Sequence, residues 1–80
     1  MSIPNLPHEE LTSPVYEVYT PCGACASYLS VIKHAQCRHY HLNDGSMMWV
    51  VMLPYESEEA LRERLYRFNL DYDDVIEINL

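Results

Sequence analysis

The run Met47-Met48-Trp49-Val50-Val51-Met52-Leu53 constrains the fold of this chain more than any other stretch. It is far shorter than the ~20 apolar residues of a membrane span, and it lacks the polar face of a surface helix. Before it stands the Asp44-Gly45 pair that tight hairpin turns prefer, and Pro54 stops it. A strand central in a sheet, or buried on both faces, has this pattern. The segment ahead of the turn, Cys37 to Leu42, alternates instead, with Tyr40 and Leu42 on one face and Cys37, His39 and His41 on the other. Together the two segments form a hairpin.

The flanking segments complete the order. Val15 to Thr20 alternates aliphatic and aromatic side chains as a strand. From Ala24 to Gln36, the three- and four-residue spacing of Cys25, Leu29, Ile32 and Ala35 predicts a helix. Ser57 caps a second helix, Glu58 and Glu59 occupy its first turn, and Leu61, Leu65 and Phe68 form its apolar stripe. Its Glu58–Arg62 and Glu63–Arg67 spacings are favourable i,i+4 pairs, and Asn69 ends it. Asp74 to Ile78 is a last strand. The order βαββαβ with short connections predicts an α+β, ferredoxin-like domain over residues 15–80, preceded by an extended, proline-interrupted leader over residues 1–14. Four antiparallel strands then carry both helices on one face, with the first and third strands central. Leu29, Ile32, Leu61, Leu65 and Phe68 are expected to face Val18, Val50 and Ile76.

Eighty residues make one domain with a modest core, and the formal charge of −7 repels phosphate backbones, which argues against direct nucleic-acid binding and favours a protein partner with a basic surface. No stretch reads as a signal peptide or membrane span, so no membrane insertion and a cytoplasmic location are expected. Three cysteines, an odd number, fit reduced thiols better than a disulfide framework.

Chemistry concentrates at Cys22-Gly23-Ala24-Cys25, where the first strand gives way to the first helix. Unpaired N–H groups and the positive end of the helix dipole stabilise a thiolate there, as a metal ligand or as a nucleophile. With this motif in place, Val15 to Ile78 resembles the heavy-metal-associated domains of copper chaperones and metal-transporting ATPases, which carry a Cys-x-x-Cys pair in the loop between the first strand and the first helix. Where that family usually has a methionine, two positions before its first cysteine, this chain has Thr20. The resemblance implies Cys22 and Cys25 as ligands for Cu(I) or Zn and transfer of the ion through shared thiolates. Val18 to Cys25 also looks like the active-site junction of small glutaredoxins, which implies thiol–disulfide exchange with Cys22 attacking and Cys25 resolving. The structural alternative is two small apolar cysteines packing the top of the helix.

Other candidates are weaker. Cys37 is expected near the far end of the first helix, ~18 Å along its axis from Cys25, too far for joint ligation. His39 and His41 share a strand face and read as solvent-facing edge residues rather than a metal pair. Met47, Met48 and Met52 read as core fillers, and Trp49 as a packing residue. A last reading needs no chemistry: Asp71, Asp73, Asp74 and Glu77, with Glu9 and Glu10, form an acidic surface able to occlude a basic surface of a larger complex. In size and charge the chain is similar to small phage-encoded inhibitors, anti-CRISPR proteins among them.

Overall fold

A computed structural model describes residues 13–78, which contain six elements. These are β1 (Val15–Thr20), α1 (Gly23–Ser30), β2 (Gln36–His41), β3 (Met47–Pro54), α2 (Glu58–Arg67) and β4 (Asp74–Ile78). The strands form one antiparallel sheet in the order β2-β3-β1-β4. This is the ferredoxin-like βαββαβ arrangement, with the apolar β3 and β1 inside and β2 and β4 at the edges. The leader expected over residues 1–14 lies, up to residue 12, outside the described residues, and so do Glu9 and Glu10.

Register decides which side chains form the core. Val18 stands opposite Val51 on β3 and Val75 on β4, and Tyr16 stands opposite Leu53. These residues face the helices and pack with Ala26 and Leu29 of α1 and Leu61 and Leu65 of α2. Side chains alternate along a strand, so Val50 and Ile76, one position away from that row, point to the opposite face. This corrects the expected packing of Val50 and Ile76 against the helices. Val50 is nonetheless buried between its neighbours, whereas Ile76 is exposed. Phe68 also departs from expectation: it caps the C-terminus of α2 and stays half exposed, its ring 5.3 Å from that of Tyr28. Leu70 packs against the core instead.

Two local corrections have physical causes. The first helix ends at Ser30, six residues before the expected Gln36, because the β-branched Val31 and Ile32 give way to three-residue turns. Ile32 N–H donates to the Leu29 carbonyl, Ala35 N–H donates to the Ile32 carbonyl, and His34 sits at φ 67°. Ile32 and Ala35 still lie against the core, so the three-residue spacing survives while the helix does not. In the hairpin, Leu42 N–H donates to the Ser46 carbonyl, leaving a three-residue loop rather than a two-residue turn. Gly45 takes the left-handed position of that loop at φ 90°, and Asp44 Oδ1 accepts from Ser46 N–H at 2.9 Å.

Candidate functional site

Cys22 is the N-cap of α1. Its backbone is extended, its carbonyl accepts from Ala26 N–H at 3.1 Å, and its Sγ accepts from Cys25 N–H at 3.3 Å. A cysteine thus does here what Ser or Asp commonly does, placing sulfur rather than oxygen at the positive end of the helix. Thr20, fully buried at the end of β1, fixes the approach: its Oγ1 accepts from Cys22 N–H at 3.0 Å.

Cys25 lies one helical turn on, buried among core residues at 8% exposure, and its Sγ accepts from Asp71 N–H at 3.4 Å. That amide comes from the α2–β4 connection, 46 residues away in sequence. Its position is set by the end of α2, where Leu70 N–H donates back to the Leu65 carbonyl and Asn69 takes φ 56°, a C-terminal left-handed cap. On the other side, Asp73 N–H donates to the Tyr19 carbonyl at 2.6 Å, tying the connection to β1.

The two thiols are electrostatically unequal. Hydrogen bonds from the Cys25 thiol, and then from the Cys25 and Ala24 amides, hold the half-buried Cys22 below the ordinary thiol value. Burial, and then the hydrogen bond to Cys22, push Cys25 up. The Asp71 carboxylate opposes ionisation of both. Of the two, Cys22 is therefore the thiol that ionises more readily, and Cys25 the one that holds its proton.

Gly23 is held against an aromatic wall. A Cβ at this position would lie 3.1 Å from Cζ2 of Trp49, which β3 presents on the row shared with Thr20 and His39. The His39 and Trp49 rings are 6.3 Å apart. Trp49 is therefore the floor of the Cys-x-x-Cys turn as well as a packing residue.

Of the residues expected to act, Cys22 and Cys25 are brought together. Cys37 lies beyond the first helix, which stops at Ser30: it is exposed on the edge strand β2, on the row Cys37–Val51–Val18, with β3 between it and β1. Asp71, Asp73, Asp74 and Glu77 are all exposed, along the α2–β4 connection and β4. Thr20, Trp49 and the Asp71 amide are contributors that the sequence hid, because a backbone donor and a register partner leave no residue-type signal. Among the described residues no group of three or more His, Cys, Asp or Glu side chains is placed to hold a metal ion. Also among the described residues, no helix is long and apolar enough to cross a membrane. Comparison with protein-family models, curated proteins and solved structures gives no match.

Proposed function

We propose that Cys22 and Cys25 form a two-thiol site that takes up a soft metal ion as cargo and releases it to a partner protein. The observation that carries this reading is that each sulfur already accepts one backbone N–H, from Cys25 and from Asp71, at the mouth of a helix. Such donors stabilise the thiolates that a soft ion requires. Two sulfurs suit Cu(I) best. Zinc prefers four ligands, so a zinc ion here would need two more from the partner. Asp71 links the site to the acidic residues Asp73, Asp74 and Glu77, which suits docking of a basic partner beside the cysteines. Three free thiols fit a reducing, cytoplasmic setting.

Unequal thiols favour a second reading, thiol–disulfide exchange. The Cys22 thiolate attacks a substrate disulfide, forms a mixed disulfide and expels one substrate thiolate. Cys25 then loses its proton and attacks Cys22 Sγ, which frees the second substrate thiol and leaves a Cys22–Cys25 disulfide for a small thiol reductant to reopen.

Native mass spectrometry of reduced protein offered Cu(I) and zinc, with Cys22→Ser, Cys25→Ser and Cys37→Ser in parallel, tests the first reading. One Cu(I) per chain, lost in the first two variants and kept in the third, supports it; retention by Cys22→Ser overturns it. Turnover of a glutathione mixed disulfide that depends on Cys22, without stoichiometric metal, supports exchange instead. If neither occurs, the pair is structural and occlusion of a basic surface, in the manner of small phage-type inhibitors, is the remaining function. Charge reversal at Asp73 and Asp74 then abolishes partner binding.

A further inference from the structure

Far from the cysteines in sequence, α2 and the residues before it line an open cleft of about 440 Å³, within the range of small-molecule sites. Tyr55 and Phe68 supply aromatic walls and Ala60 leaves room between them. Arg64 enters this cleft without a counter-charge. Its guanidinium donates to the Tyr55 hydroxyl at 3.1 Å and to the Tyr28 hydroxyl at 3.4 Å, and it lies over the rings of Tyr28, Tyr55 and Phe68. Among the described residues no carboxylate pairs with it, and its buried Nε has no partner at all. The other two arginines of α2 differ, since Arg62 pairs with Glu58 and Arg67 with Glu63. In a chain of net charge −7, a partly buried cation fixed by phenols and left without an anion is an unmet demand.

The remaining lining limits what can meet it. Glu56 and Glu63 share the cleft with Arg64 and Arg67, so its fixed charges balance. A phosphate or other multiply charged anion would meet the two carboxylates. A zwitterion would not: its carboxylate can take the Arg64 fork and its ammonium the Glu56 carboxylate. The aromatic walls favour a ring between them. We propose that this cleft binds a small zwitterion of the aromatic amino-acid type, oriented by Arg64 and Glu56.

The test is a ¹H–¹⁵N titration of the whole protein with phenylalanine, phenylalanine amide, N-acetylphenylalanine and inorganic phosphate. Phenylalanine should produce saturable shifts over residues 55–68, and the amide, which lacks the carboxylate, should bind roughly tenfold more weakly. Arg64→Lys keeps the charge but loses the fork and should weaken phenylalanine by a similar factor. Glu56→Gln should weaken phenylalanine while leaving N-acetylphenylalanine unchanged. If Arg64→Lys does not fold, the two blocked ligands decide the matter on the parent protein. Absence of saturable shifts with phenylalanine up to about 10 mM overturns the proposal, as does equal binding of the amide or tighter binding of phosphate.

Discussion

Truncating Leu65 and Phe68 separately to alanine separates the packing seen here from the packing that periodicity alone suggests. Both lie on one helical stripe, three residues apart, yet Leu65 is fully buried while Phe68 is 49% exposed. Removing Leu65 forfeits about 1.5–3 kcal/mol of apolar transfer and leaves a cavity in the centre of the helix–sheet layer, for a total of about 2–5 kcal/mol. An 80-residue domain of this kind holds roughly 3–5 kcal/mol in all, so Leu65→Ala should be largely unfolded at room temperature. Phe68 forfeits about half of a buried side chain plus its contact with Tyr28, roughly 1–2 kcal/mol. Urea denaturation followed by the fluorescence of Trp49, the only tryptophan, reads both. At roughly 4–8 °C per kcal/mol, Phe68→Ala should melt within about 16 °C of the parent. Equal losses for the two variants, or a larger loss for Phe68→Ala, would refute the register and helix placement that bury one residue and not the other.

Alkylation of Cys22 by iodoacetamide should show a pH midpoint below the ordinary thiol value, because the folded state favours its thiolate, whereas the midpoint of Cys25 should lie above it. The stabilisation carried by the Cys22 thiolate is present above the thiol's unfolded pKa and is lost as pH falls through its lower folded value. Cys25→Ala removes the foremost cause of that depression, so the Cys22 midpoint should rise; mass-resolved labelling across pH checks both. Uptake of Cu(I) should release protons and weaken on acidification, as a titration in weakly buffered solution would show. Gly23→Val should shift Trp49 emission and reduce Cu(I) uptake, because even the first side-chain carbon meets the indole at 3.1 Å. Ser57→Ala deletes an N-cap whose hydroxyl accepts from Ala60 N–H at 3.1 Å and should cost about 1 kcal/mol in the same urea assay.

The architecture was largely legible in the residues. The Met47–Leu53 run, the alternation of Val15–Thr20 and the Leu61–Leu65 stripe each follow from one periodicity, and β4 begins and ends where its pattern does. Failures came where periodicity is silent. Three-residue spacing serves a helix and a series of tight turns alike, so Ile32 and Ala35 could not show that α1 had already stopped. In an unbroken apolar strand nothing marks which alternate residues face the helices, so Val50 was assigned to the wrong side; the register with Val18 and Val75 settles it. At the site, the cysteine pair was visible by residue type. The inequality of its thiols was not, since it arises from the Asp71 amide and from burial by partners distant along the chain.

The hydrogen bond from the Asp71 amide to Cys25 Sγ also makes that thiol a clock for the integrity of the domain. Only 8% of Cys25 is exposed, so labelling of this sulfur in a Cys22→Ser, Cys37→Ser background is slow in the closed state and quickens when the α2–β4 connection lifts away from it. When closing outruns labelling, the ratio of the observed rate to that of the unfolded chain sets an upper bound on the opening equilibrium constant. Partner docking on the neighbouring connection would slow this clock, giving a chemical readout of engagement without any knowledge of the partner's identity.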